Sequence, residues 1–341
     1  MNKEVTNSRC RGKPSGDGKR GSLVLGSHLS VAGGLERALT EAMNLGCDCV
    51  QIFVKNQRQW RAAPLSEDQV ARFLAARSVA TVAPVVAHAS YLLNLASPDE
   101  AARQRSIDAL TDELQRCEAL GVAYLVFHPG AHMNSTATDM GRSSPTPLPI
   151  SNSQLPIDPS RDREGAENPP AMRAGIERIA RSLDEVHRRC AGFRSMILLE
   201  STAGQGTSIG WRFEQLRGIL DRVEAPDRVG VCLDTCHLFA AGYDFRTPDA
   251  YAAMMDEMDR VIGLARVRCI HMNDSKRELG SRVDRHEHIG KGKIGKSGFA
   301  NFINDPRFAG VPMILETPKG TDGRGMDLDK VNLKRLRALI R

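Results

Sequence analysis

Eight short apolar runs rich in β-branched residues recur along the chain: LVLGS (23–27), CVQIFV (49–54), PVVAH (84–88), YLVFH (124–128), MILLE (196–200), VGVCLD (229–234), VRCIH (267–271) and MILE (313–316). Between several of them the apolar positions step at helical intervals, as at Ile107, Leu110, Leu114 and Cys117, and again at Ile176, Ile179, Leu183 and Val186. Continuous apolar strands alternating with amphipathic helices predict a parallel sheet covered by helices. Eight such units predict an α/β fold with a single closed (β/α)8 barrel of the TIM type over residues 22–341.

One interval breaks the rhythm. His128 and Glu200 are 72 residues apart, where neighbouring strand ends lie 34 to 40 apart. The excess coincides with residues 134–170, rich in Ser, Pro, Asn and Asp, which bury too little apolar surface to order themselves and are expected to be a disordered insertion in a loop. Residues 1–21 form a second departure, a basic extension expected to be disordered. It carries Lys3, Arg9, Arg11, Lys13, Lys19 and Arg20 against Glu4 and Asp17, most of the chain's net charge of +6. Such an extension is either a solvated tail or a weak, sequence-independent contact to nucleic acid. No apolar run approaches the ~18 residues that cross a bilayer, and the first twenty residues lack the apolar core of a signal peptide, so a cytoplasmic protein without a membrane partner is expected. The eight cysteines are scattered without a C-x-x-C pair and are read as small buried hydrophobes.

Candidate chemistry appears where the apolar runs stop. Six of the eight end in His88, His128, Glu200, Asp234, His271 and Glu316. A lone histidine at a strand end is usually a hydrogen-bonded structural residue, but in a barrel all six converge on the C-terminal mouth, where active sites of this architecture lie. Imidazoles and carboxylates gathered in one cavity demand compensating cations. The donor set suits Zn²⁺, and equally Mn²⁺ or Fe²⁺. His237 follows three residues after Asp234, and Asp284 and His286 share a face if their segment is extended; His288 shares that face too, so spacing alone does not choose between the histidines. His28 and His132 are read as structurally hydrogen-bonded, Trp60 and Trp211 as core, and the stretch AGQG (203–206) as a tight turn. Tyr91 and Leu92, taken by themselves, read as core packing.

The segments NQRQWRAAPLS (56–66), HASYLLNLASP (88–98), FHPGAH (127–132), LESTAGQG (199–206), VGVCLDTCHLFAAGYD (229–244), HMNDSKRELGSRVDRHEHIGKGKIG (271–295) and LETPKG (315–320) resemble those of the endonuclease IV family, zinc-dependent apurinic/apyrimidinic endonucleases of DNA base excision repair. The resemblance implies three zinc ions per chain. His88 and His128 would hold the first ion, with Glu200 bridging it to a second that Asp234, His271 and Glu316 also bind; His237, Asp284 and His286 would hold the third. Ions sharing a carboxylate can share and acidify a water, with Glu316 orienting it for attack, so Glu200 and Glu316 are the implied catalytic residues. The implied substrate is double-stranded DNA with abasic sites, cut by a monomer on the 5′ side to leave a 3′-hydroxyl and a 5′-deoxyribose phosphate, with trimming of blocked 3′ ends besides. Arg58, Tyr91 and Leu92 match positions that push into the helix at the lesion, as a wedge does in a bent minor groove. Two rivals remain open: a sugar isomerase or epimerase with one or two ions, and a non-catalytic binder of damaged DNA.

Overall fold

The computed structural model describes residues 23–133 and 168–341. The first half of the chain runs β1 (Val24–His28), α1 (Leu35–Leu45), β2 (Cys49–Ile52), α2 (Glu67–Val79), β3 (Val85–His88), α3 (Glu100–Leu120) and β4 (Tyr124–Phe127). It continues through α4 (Pro170–Arg189), β5 (Met196–Glu200), α5 (Phe213–Leu220), β6 (Val229–Asp234), α6 (Thr235–Ala241), α7 (Pro248–Val261) and β7 (Val267–His271). Two-residue strands β8 (Asp274–Ser275) and β9 (His286–Glu287) pair antiparallel, and α8 (Gly295–Ile303), β10 (Pro312–Leu315) and α9 (Leu328–Arg337) complete it. Strands β1 to β7 and β10 close into a parallel barrel, β10 joining β1 to β7. Each of the eight apolar runs supplies one barrel strand.

The predicted helical stripes are the buried ones: Ile107, Leu110, Leu114 and Cys117 on α3, and Ile176, Ile179, Leu183 and Val186 on α4. Local signals set the ends. Ser66 and Gln69 form a reciprocal capping box on α2, and Gly121, in the left-handed region at φ 64°, ends α3. The basic extension at 1–21 and residues 134–167 of the expected insertion lie outside the described residues. Pro170, which composition assigns to the insertion, instead opens α4, where a proline's missing N–H needs no partner. The seven described cysteines are buried free thiols. Among the described residues no helix is long and apolar enough to cross a membrane.

Inside the barrel the side chains lie in layers. Cys49, Val86, Val126, Leu198, Cys232, Cys269 and Ile314 form an apolar floor, separate from the main core between strands and helices. Two residues further along each chain segment comes a polar one: Gln51, His88, His128, Glu200, Asp234, His271 and Glu316. Positions i and i+2 share a face of a strand, so this polar set is the next layer, at the C-terminal mouth. His28 of β1 joins it, in register with Gln51. The floor is apolar; the layer above it is polar and, apart from Gln51, ionisable.

Candidate metal centre at the barrel mouth

The nine candidate ligands fall into three groups whose donor atoms lie within 4.8 Å of one another: His88, His128 and Glu200; Glu200, Asp234, His271 and Glu316; and His237, Asp284 and His286. Glu200 belongs to two of them. Its Oε2 is 3.0 Å from His88 Nε2 and 3.1 Å from His128 Nε2, while Oε1 is 3.0 Å from His271 Nδ1. Glu316 Oε2 lies 3.2 Å from the same His271 Nδ1. In the third group Asp284 spans two imidazoles, with Oδ2 3.2 Å from His237 Nε2 and Oδ1 3.2 Å from His286 Nε2. Two donors about 2.0–2.1 Å from one tetrahedral zinc are roughly 3.3 Å apart, so these spacings fit shared ions. Two further groupings draw in thiols, Cys232 and Cys269 with His271, and Cys236 with Asp234 and His286. Burial holds the Cys232 thiol well above its usual range and pushes Cys236 up to about 12, which leaves both poor ligands, whereas Cys232 and His271, overruling burial, draw the Cys269 thiol down to about 7.

The chain aims these groups by local means. Asp234 ends β6 and caps α6, its Oδ1 accepting from His237 N at 2.8 Å, so a spacing of three puts His237 one helical turn above it. Three histidines donate Nδ1–H to backbone carbonyls and turn Nε2 into the site: His88 to Ala89 at 2.7 Å, His237 to Ser201 at 2.8 Å and His286 to Glu316 at 3.1 Å. The β8–β9 ribbon separates His286 from His288. Beyond it the chain turns at Gly290, in the left-handed region at φ 71°, and His288 Nδ1 faces Asn332 Nδ2 at 3.0 Å instead of the site. Asp274 anchors this loop by accepting from the N–H groups of Gly290, Gly292 and Ile294.

Burial disfavours charge on these groups, and their neighbours overrule it. His128 and His271 hold the Glu200 carboxyl well below its usual range, His271 and His28 lower Glu316, and His237 and His286 lower Asp284. In return the facing carboxylates raise His88, His237 and His271, and His286 to about 9. The imidazoles raised furthest, His237, His271 and His286, hold protons at neutral pH in the metal-free protein, and an ion must displace them. Loading zinc onto metal-free protein at pH 7 is therefore expected to release about three protons per chain, and apparent affinity to fall as pH drops. A pH-indicator dye in weak buffer measures this; zinc uptake without proton release would show that these imidazoles are already neutral in the metal-free protein.

Tyr91 and Leu92 are 58% and 37% exposed at the rim, which removes the core-packing reading, and Arg58 is exposed beside them. The Tyr91 ring lies 5.2 Å from His88 and 5.9 Å from His128, over the first group, and it parts a cleft of about 430 Å³ from one of about 730 Å³. Trp60, expected in the core, is 37% exposed, in a loop whose carbonyls accept from Lys55 and from Arg116 of α3. Trp211 packs against the core with Arg282 4.2 Å over its ring. His28 Nδ1 meets Glu316 Oε1 at 3.2 Å, as expected of a structural histidine, whereas buried His132 Nδ1 finds no partner among the described residues. Positive φ at Gly204 and Gly206 makes AGQG a turn. Sequence reasoning passed over Gln51 and Asn273, both fully buried. Asn273 donates to Asp234 Oδ2 at 2.6 Å and accepts from Glu316 N at 2.7 Å. A polar residue inside or just after an apolar run was the signal for both.

A sequence profile of the xylose isomerase-like TIM barrel family matches residues 39–339. A protein named probable endonuclease 4 from Chloroflexus aggregans is 45% identical over 316 residues, covering 93% of this chain and 97% of that protein. Endonuclease IV from Thermus thermophilus superposes with a TM-score of 0.72 at 36% identity, covering 93% and 98% of the two chains. A D-tagatose 3-epimerase-like protein superposes with a TM-score of 0.62 over 93% and 97% of the two chains, but at 15% identity it shares the fold alone. The chain belongs to the endonuclease IV family of xylose isomerase-like TIM barrels.

Proposed function

We propose that this chain is a zinc-dependent DNA repair endonuclease that hydrolyses the phosphodiester on the 5′ side of abasic sites, leaving a 3′-hydroxyl and a 5′-deoxyribose phosphate, and that trims blocked 3′ ends. The observation that carries this is the set of three donor groups, two of them joined through Glu200, beneath an exposed aromatic-apolar rim. Three Zn²⁺ ions, replaceable by Mn²⁺ or Fe²⁺, would be held by His88, His128, Glu200, Asp234, His237, His271, Asp284, His286 and Glu316. Such ions supply Lewis acidity, stabilising charge on the phosphate and acidifying water.

The protein groups do the positioning. Glu200 keeps two donor groups adjacent, one carboxylate oxygen facing each. Glu316, through Oε2, orients the attacking water. The carboxylates of Glu200, Asp234, Asp284 and Glu316 would be outweighed by three bound divalent ions, so the loaded mouth would be net positive toward an anionic phosphodiester. Tyr91 and Leu92 wedge into the duplex and Arg58 meets its backbone, while a nucleotide without a base is the cheapest to flip into the mouth. All nine ligands come from one chain, so a monomer suffices. A sugar epimerase has no use for the third group or the wedge.

Incubating metal-loaded protein with duplexes that do or do not carry one abasic site, identifying the new ends and counting bound metal in parallel, decides the matter. Intact abasic duplex at full metal loading would refute the activity. Replacing both Tyr91 and Leu92 by Ala is expected to weaken abasic-duplex binding at least about tenfold, given the few kcal/mol an inserted wedge exchanges with base stacking, while metal content stays unchanged. Loss of metal with intact DNA affinity would make them packing residues.

A further inference from the structure

One side chain in the layer at the mouth is neither charged nor a candidate ligand. Gln51 lies in β2, fully buried, two residues above Cys49 of the floor. A buried amide needs partners, and those of Gln51 include two of the nine ligands. Its Nε2 is 2.6 Å from Glu316 Oε1 and 2.9 Å from His28 Nδ1, and its Oε1 is 2.9 Å from His271 Nε2.

The contacts with Glu316 and His271 fix the orientation of the amide. A carboxylate only accepts, so the amide nitrogen faces Glu316 and the amide oxygen faces His271. An amide oxygen also only accepts, so His271 Nε2 carries a proton, and the neutral imidazole that could take an ion has its lone pair on Nδ1. Nδ1 is the atom that faces Glu200 Oε1, Glu316 Oε2 and Asp234 Oδ2, at 3.0, 3.2 and 3.8 Å. His88, His237 and His286 are fixed in the opposite tautomer by backbone carbonyls; for His271 a side chain does the work. The same amide engages Glu316 through Oε1 and leaves Oε2 turned inward.

We infer that Gln51 is a positioning residue for the group formed by Glu200, Asp234, His271 and Glu316: it sets the His271 tautomer and selects the oxygen that Glu316 offers. The inference rests on the metal-hydrolase reading above and adds a residue that touches neither ion nor substrate. Partners of this kind are typically worth about 10- to 100-fold in metal affinity or activity.

Gln51→Met keeps the length of the side chain and removes both hydrogen bonds. Gln51→Asn keeps the amide but is about 1.5 Å too short to span both ligands, and it carries the test if the Met variant fails to fold. Folding is checked by circular dichroism of the metal-free proteins. Each variant is then titrated with a chelator, loaded with Co²⁺ for its visible spectrum, and assayed on abasic duplex. One ion per chain is expected to be lost at about 10- to 100-fold lower chelator concentration. The Co²⁺ bands should shift, and kcat should fall at least about tenfold with KM within about twofold. A folded variant with wild-type chelator resistance and an unchanged Co²⁺ spectrum would overturn the role of Gln51 and leave the hydrolase reading intact. Wild-type protein that binds no ion would overturn both. Wild-type protein that binds its ions but leaves abasic DNA uncut would remove the substrate alone, and the chelator and Co²⁺ measurements would still decide for or against Gln51.

Discussion

Glu200→Gln is expected to lower kcat/KM on abasic duplex at least about a hundredfold while leaving the barrel folded, the scale on which loss of one transition-state charge contact is felt. Glu200 is fully buried, and its two oxygens face different donor groups, Oε2 toward His88 and His128 and Oε1 toward His271. An amide has nearly the same shape but only one ligating oxygen, so it can serve one group and not both. Its NH₂ would also present hydrogens where an ion pair is needed. Circular dichroism, metal content and turnover have to be measured on the same sample. Turnover at the wild-type rate with a full metal complement would show that the two groups need no shared carboxylate, and the proposed origin of the nucleophile would fall.

His286→Ala is expected to cost about one bound ion per chain and most cleavage, whereas His288→Ala should keep the metal count and near-normal turnover, because three protein ligands and an open position make a catalytic site. The two histidines are two residues apart and of the same type, so composition and charge change equally in both variants. Only placement differs. His286 Nε2 is 3.2 Å from Asp284 Oδ1, while His288 Nδ1 is 3.0 Å from Asn332 Nδ2 of α9. Metal analysis showing the reverse pattern would move the third group to His288.

The contrast between these histidines marks where the sequence ceases to be informative. Barrel strands are legible because buried parallel strands are apolar on both faces, so their ends stand out when an ionisable residue interrupts the run, as at His88, Glu200, Asp234 and His271. His286 sits in a two-residue strand without apolar periodicity, and only the family resemblance selects it over His288. Gln51 escaped for a different reason. It is uncharged and falls inside CVQIFV, where one polar residue among five apolar ones reads as tolerated when it is the amide between two ligands. The carbonyls of Ala89 and Ser201 that fix His88 and His237 are invisible in principle, since a backbone atom has no residue identity. Trp60 shows the converse, a large aromatic whose size argues for the core and whose loop carries it to the surface.

The apolar floor under the mouth has a consequence for how the protein lives with its metals. In small zinc domains the ion is the core, so chelation unfolds the chain. Here Cys49, Val86, Val126, Leu198, Cys232, Cys269 and Ile314 close the barrel as a packed apolar layer, and a second, larger core lies between strands and helices. Without an ion, protonated imidazoles would neutralise the carboxylates of the mouth, and the scaffold is expected to stay folded. If the mouth holds zinc as proposed, metal loss is expected to switch activity off without unfolding the chain, and reloading zinc to restore it without new synthesis.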